Sequence, residues 1–315
     1  MVFRKLKRNI IVSIILFALI YLFFSLYSDF DNVLRSLSSV SLTTMVLVLL
    51  LTSTNFFFRF LKWHYYVRLL NLKASFWDSL LIFLSGLVMS VTPGKFGEVF
   101  KSYLLKKIDD IPIPVSAPIV FAERITDFYS VLLLAFIGSL VMGQGMTVII
   151  LTALFFILAT LLLNNRKMSL AIIKYFERFN FLEKYISKIE ESYESSYTML
   201  RIKPLYEMTL LSLLAWLPEC LGFYLILDYF SVDVSVLWSV FVYTFSIIVG
   251  ALTMLPAGIG VTEGSLSYFI FDVTKNMDLA VTVTFLIRIS TLWYAVIIGI
   301  ISLAIIKKKR NIENL

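Results

Sequence analysis

The chain is 315 residues long, 59% hydrophobic and only 16% charged, where an ordinary soluble domain carries about 25% charge. A mean hydropathy of +0.89 leaves too few polar residues to coat a soluble core, which excludes a soluble enzyme, a DNA-binding domain and a secreted disulfide scaffold. One cysteine (Cys220) and one histidine (His64) exclude an intrachain disulfide and leave little for a Ser-His-Asp triad or a multi-histidine metal site.

The basic head Arg4, Lys5, Lys7 and Arg8 precedes an apolar run at roughly Ile10–Tyr27. This run is too long for a signal-peptide core and has no small-residue cleavage site, so it reads as an uncleaved span. Further spans are expected at roughly Leu42–Phe60, Pro118–Met142, Thr147–Leu163, Tyr206–Leu227 and Leu279–Ile306. Two apolar stretches are broken instead. Asp78–Val91 stops at Pro93-Gly94 and resumes as a short helix near Phe96–Leu105; Leu237–Leu255 stops at Pro256 and resumes near Thr262–Phe271. His64, among Trp63, Tyr65 and Tyr66, reads as part of an interfacial aromatic belt, and Cys220 as plain packing. Between the halves, residues 166–203 read as a cytoplasmic connector. Its amphipathic helix at Tyr185–Leu200 carries apolar positions at Ile186, Ile189, Tyr193 and Leu200 and lies on the inner leaflet.

Net charge is +7, but its distribution is that of a membrane protein and not of a nucleic-acid binder. Five segments read as cytoplasmic (the N-terminus, residues 59–75, 101–110, 166–203 and the tail) hold 23 Lys and Arg; the external loops hold Arg35 and Lys275, and Lys95, Arg124 and Arg288 remain at membrane depth. The positive-inside rule then puts both termini in the cytoplasm of a multi-pass protein of the cell membrane. It also makes each broken stretch leave by the face it came in. Full spanning keeps the same even count, but helices of about 10 residues reach only ~15 Å of a ~30 Å core.

The two breaks resemble each other. TPGKFGEV (92–99) and LPAGIGVTEG (255–264) share Pro-x-x-x-Gly and a following glutamate: Pro93, Gly97 and Glu98 against Pro256, Gly260 and Glu263. Arg124 follows Pro93 by 31 residues and Arg288 follows Pro256 by 32; Asn55 and Glu219 precede the breaks by 38 and 37. The expected fold is therefore an all-α polytopic membrane protein. It has about six full spans plus two re-entrant broken-helix hairpins, with repeat units of about 42–142 and 206–306 in inverted topology, as in many secondary transporters.

Eight ionisable groups fall in or beside these units: Lys95, Glu98, Glu123, Arg124, Asp127, Glu219, Glu263 and Arg288. Uncompensated, they would cost roughly 20–28 kcal/mol at mid-membrane, so they pair internally, line a polar substrate path, or do both. Glu123 and Asp127 share a helical face. An arginine such as Arg124 binds phosphate through a bidentate fork, and the broken backbones at Pro93 and Pro256 expose N–H groups that favour anions. Gly94, Gly97, Gly258 and Gly260 serve either the breaks or close packing. They form no dinucleotide fingerprint, and no Walker motif is present, so neither cofactor nor ATP hydrolysis is expected.

TPGKFGEVFKSYLL, the ERITDF stretch and LPAGIGVTEGSL resemble motifs of the lysylphosphatidylglycerol synthase transmembrane-region family over about residues 10–306. The resemblance implies a flippase-like domain that moves lipid between leaflets and implicates Gly94, Gly97, Glu98, Glu123, Arg124, Asp127, Pro256, Gly258, Gly260 and Glu263. Only nine residues follow Ile306, which leaves no room for the aminoacyl-transferase of fused members, so synthesis of lysyl-lipid is not expected. Three functions follow: a flippase for a phospholipid or polyprenyl-phosphate lipid, a proton-coupled transporter of a small polar solute working through Glu98 or Glu263, or a non-transporting membrane subunit that binds a lipid-modifying or glycosyltransferase partner.

Overall fold

A computed structural model describes residues 30–92, 96–176 and 180–310. The expected span at 10–27 and the break residues Pro93, Gly94 and Lys95 lie outside the described residues. A short helix, α1 (Phe30–Ser39), leads into α2 (Leu42–Leu69), whose first turn is capped by Ser41 accepting from the Thr44 N–H. Five described helices are long and apolar enough to cross a membrane: Leu42–Leu69, Ile113–Met142, Met146–Asn164, Ile202–Tyr229 and Met277–Lys309. They match the other five expected spans. At 28 residues each, the first and fourth are ~42 Å long and outreach a ~30 Å core. The helix Met146–Asn164 turns Leu151, Phe155 and Leu161 outward, where acyl chains replace a protein partner. The chain is thus an all-α multi-pass membrane protein.

Each broken stretch forms an antiparallel hairpin. In the first, α3 (Phe76–Gly86) tightens into a 3-10 stretch (Leu87–Val91), and a second 3-10 turn (Phe96–Val99) starts α4 (Phe100–Asp109). Its two ends meet on one side. Asp78 at the start takes Arg310 at 2.5 Å and Lys309 at 3.3 Å, and Asp109 at the far end lies in the field of both Asp78 and Arg310. After α5 (Ile113–Met142), α6 (Met146–Asn164), α7 (Arg166–Phe176), α8 (Asn180–Met199) and α9 (Ile202–Tyr229), the second hairpin joins α10 (Val236–Leu252) to α11 (Val261–Thr274). Ser246 bonds Ser265, and Phe245 meets Phe269 edge-on, so these arms also run antiparallel. The chain closes on α12 (Met277–Lys309), interrupted by a π-helical turn at Ile289–Trp293 directly after Arg288.

The two halves follow one order with a constant offset. α2 and α9 start and end 160 positions apart. Asn71 and Ser231 turn the chain with φ of 54° and 56°, and Ser75 and Ser235 cap the next helix. α2 and α9 cross antiparallel: Asn55 Nδ2 donates to the Ala215 carbonyl at 2.8 Å, Lys62 to Ser212, and Tyr65 to Glu207. Asn55 and Ala215 are themselves 160 apart, so equivalent positions meet at the centre of the crossing. Each hairpin packs on the other half's long helix. A Cβ at Gly299 of α12 would fall 2.4 Å from the Val88 nitrogen, and one at Gly138 of α5 would fall 2.5 Å from Phe241 Cβ.

Two local expectations are revised. Pro118 does not open its span; α5 begins at Ile113, and the Pro114 carbonyl, denied a backbone donor by Pro118, accepts from Ser192 Oγ at 2.8 Å. In the connector, Ile186, Tyr193 and Leu200 are buried but Ile189 is exposed. Tyr193 donates to the Leu163 carbonyl and Asn164 to that of Leu200, so α8 docks on the ends of α5 and α6.

Candidate functional site

Two helices and the first hairpin bring their charges to one buried place. Arg59 and Lys62 of α2 lie three positions apart and share a helical face; Glu98 and Lys101 are spaced alike at the start of α4, and Glu123, Arg124 and Asp127 come from the middle of α5. Asp127 bonds Lys62 directly and lies 3.2 Å from Arg124 and 4.0 Å from Arg59. Glu98 lies 3.3 Å from Arg124, 3.5 Å from Lys101 and 3.8 Å from Arg59. Glu123 takes Lys101 at 2.5 Å, and the ammonium of Lys101 also sits 4.4 Å from the Trp63 ring centre. Six of the seven side chains are 7% exposed or less; Arg124, at 17%, is the least buried. Mutual pairing offsets much of the cost of holding these ions away from water. Among the described residues Arg59 Nε and Arg124 Nε nevertheless have no hydrogen-bond acceptor, and Glu123 Oε1 and Asp127 Oδ2 have no donor.

Glu98, Glu123, Arg124 and Asp127 are sequence expectations that meet here. Arg59, Lys62 and Lys101 are not: the charge count places them in cytoplasmic loops, and the structure buries them. The apolar run fades at Phe60, but α2 continues to Leu69 and packs its last turns inside. The legible signal is the repeated spacing of three, Arg59 with Lys62 and Glu98 with Lys101. Among the break residues, Gly97 N donates to Thr92 Oγ1 at 3.0 Å while the same hydroxyl donates to the Met89 carbonyl at 2.6 Å. Thr92 thereby joins the two arms of the hairpin.

The second break is built differently. Ala257, Gly258 and Gly260 turn the chain with φ of 53°, 65° and 91° after Pro256. Glu263 uses both oxygens on the turn: one accepts from Gly260 N at 2.7 Å, the other from Arg288 Nε at 2.7 Å. Arg288 also donates to the Ala257 carbonyl at 3.0 Å. Glu219 accepts from Tyr243 Oη at 2.8 Å. Arg124 and Arg288 thus each meet the glutamate of their own half. At the shared offset of 160, the position matching Glu219 is Arg59 and not Asn55, which instead lies at the crossing. His64 sits half-buried against Phe60 and Phe76 with Nδ1 3.1 Å from Ser79 Oγ, and Cys220 is buried. No group of three or more His, Cys, Asp or Glu that could hold a metal ion occurs among the described residues.

The chain is similar to two UPF0104 membrane proteins of Methanocaldococcus jannaschii. Each is 26% identical; one aligns over 97% of both chains, the other over 70% of this chain and 94% of its own. A UPF0104 membrane protein of Methanothermobacter thermautotrophicus is 22% identical over 95% of this chain and 93% of its own. The family model of the lysylphosphatidylglycerol synthase TM region matches residues 10–299. The chain belongs to the lysylphosphatidylglycerol synthase TM region family.

Proposed function

We propose that this protein is a flippase-like transporter, and not an enzyme, that moves a phospholipid or polyprenyl-phosphate lipid between leaflets. The observation that carries the reading is the seven-residue charged cluster inside a membrane-embedded bundle, in which Arg59 Nε, Arg124 Nε, Glu123 Oε1 and Asp127 Oδ2 are buried without a hydrogen-bond partner among the described residues. A head group crossing an apolar slab meets a barrier of several kcal/mol per charge. A charged cradle beside a broken hairpin lowers it while the acyl chains stay in the bilayer. Lys95, three positions before Glu98, belongs to the proposed path by sequence alone. Glu219, Glu263 and Arg288 form its counterpart in the second half, whose break resembles that of an inverted-repeat transporter with units of about 42–142 and 206–306. Without Arg59, Lys62 and Lys101, 20 of the 23 cations still fall on one side against two on the other, which supports cytoplasmic termini in the cell membrane.

The test is leaflet-resolved lipid movement in proteoliposomes, beside thermal stability in detergent. Wild type is expected to move an anionic lipid; Glu98→Gln and Arg124→Ala are expected to fall to the protein-free rate while staying folded. If the cluster is pairing alone, Arg124→Ala unfolds the protein and the Glu98→Gln/Arg124→Ala double variant regains both stability and activity. Full activity in both single variants overturns the site assignment.

A further inference from the structure

The short helix α7 lies apart from the charged cluster and has a surface of its own. It carries Arg166, Lys167 and Lys174 and no acidic residue, whereas its neighbour α8 carries Glu183, Glu190, Glu191 and Glu194 against Lys184 and Lys188. Met168, Ile172 and Tyr175, spaced by four and three, share one side of α7 and are 36%, 50% and 57% exposed. We propose that α7 is an interfacial helix that docks on an anionic phospholipid surface, the leaflet at the end of α6. In the orientation proposed above this is the cytoplasmic leaflet.

Three observations carry it. The first is direction. Ser169 stands seven positions after Leu162, which on one straight helix is ~10 Å of rise, yet its hydroxyl donates to the Leu162 carbonyl at 2.9 Å. The chain therefore turns at Asn165, with φ of −84° and ψ of 82°, and α7 leaves the axis of α6 where that span ends. Asn165 Oδ1 starts the new helix by accepting from Met168 N at 3.2 Å. The second is continuity. The last turn of α6 presents Leu161 and Leu162, 61% and 52% exposed, to the acyl chains, and the Ser169 bond holds the first turn of α7 against it. The apolar stripe of α7 thus extends a lipid-facing surface onto a helix that lies off the spanning axis, as interfacial helices do. The third is charge. Behind the stripe, Ser169, Leu170 and Ile173 are partly buried, and Arg166 ties α7 to α8 through one Glu194 oxygen, Nε at 3.0 Å and Nη2 at 2.8 Å. Lys167 and Lys174, seven positions apart, fall nearly on one line along the helix and are exposed. Their stems can lie on apolar surface while the ammonium groups meet phosphate. α8 fits such a surface less well, because Ile186 and Tyr193 are buried in the protein and its excess carboxylates repel an anionic leaflet.

The test uses full-length protein with Cys220→Ala and Ile172→Cys, labelled with bimane and reconstituted in phosphatidylcholine vesicles. The vesicles contain either brominated phosphatidylglycerol or brominated phosphatidylcholine, and iodide is supplied on both sides of the membrane. Leu158→Cys on the lipid face of α6 serves as the acyl-chain reference and Asp110→Cys as the aqueous one. The expected result at position 172 is quenching by brominated chains and protection from iodide, as at 158. Brominated phosphatidylglycerol is expected to associate at least about fivefold more tightly than brominated phosphatidylcholine, and Lys167→Gln/Lys174→Gln is expected to bring the two level. Both lysines are exposed, so the double variant is expected to keep the wild-type melting temperature. Iodide quenching at 172 equal to that at 110 overturns the docking and leaves the stripe to a water-borne partner. Protection from both quenchers overturns it in favour of cover by protein, a second copy of this chain included. Equal quenching by the two brominated lipids in wild type, or a preference that survives the double variant, overturns the recognition of charge. None of these readouts depends on lipid movement between leaflets.

Discussion

Asp127 is the residue on which the charged cluster turns, since Lys62, Arg124 and Arg59 all reach it. Removing one member of a buried pair leaves an uncompensated ion and costs about 3–5 kcal/mol. Asp127→Ala is therefore expected to lower the detergent melting temperature sharply, and Lys62→Met added to it is expected to restore most of the loss. A double-mutant cycle on those two positions measures the coupling, and additivity would show that the two side chains do not act together. Glu263 invites the same test with a different outcome, because it caps the Gly260 turn as well as holding Arg288. Arg288→Met added to Glu263→Ala is expected to leave the lost cap unrepaired, which a melting-temperature comparison reads directly. At this scale the sequence was half legible. Carboxylates and arginines in apolar runs announce themselves by their cost. Arg59, Lys62 and Lys101 do not, because a cation at the end of a span looks the same whether it snorkels outward or turns in to meet a carboxylate from a distant helix.

The broken hairpins were legible because proline and glycine interrupt an apolar run visibly and because 10–17 residues are too few to cross. What covers them was not legible. Gly299 carries no sign in its neighbourhood that Val88, over 200 positions away, will press on it. Gly299→Ala would set a Cβ 2.4 Å from backbone nitrogen, where no side chain can move aside. The expected loss is about 1–3 kcal/mol, with the first hairpin displaced from α12. Gly264→Ala is the control. It lies within α11 with nothing inside 4 Å of the added methyl, and alanine favours helix over glycine by ~1 kcal/mol. Equal melting temperatures for the two variants would refute the close packing. Pro118 shows the same limit: in sequence it reads as the start of a span, and the Ser192 hydroxyl that serves the Pro114 carbonyl comes from 74 positions after it.

At the scale of the molecule, five long helices and two hairpins alternate in direction, and the side on which each connection falls follows from that alternation. Residues 70–75, 110–112 and 309–310 fall on one side, tied by Asp78, Lys309, Arg310 and the neighbouring Asp109. Residues 143–145, 230–235 and 275–276 fall on the other, where Gly145 abuts Phe245 of the second hairpin. In the orientation proposed above from the charge asymmetry, the first side is the cytoplasmic one. Single cysteines at exposed positions test this without disturbing the core, in a background where the one native thiol, buried Cys220, is replaced by alanine. Cysteines replacing Lys73, Asp110 and Lys309 are expected to react with an impermeant maleimide only after the membrane is opened. Those replacing Gln144, Asp233 and Lys275 are expected to react in intact cells. The informative pair is 73 and 110. They flank the first hairpin, so labelling from opposite sides would mean that residues 76–109 cross the membrane and that the Asp78–Arg310 contact does not form. Labelling of both from outside would keep the hairpin and reverse the whole protein.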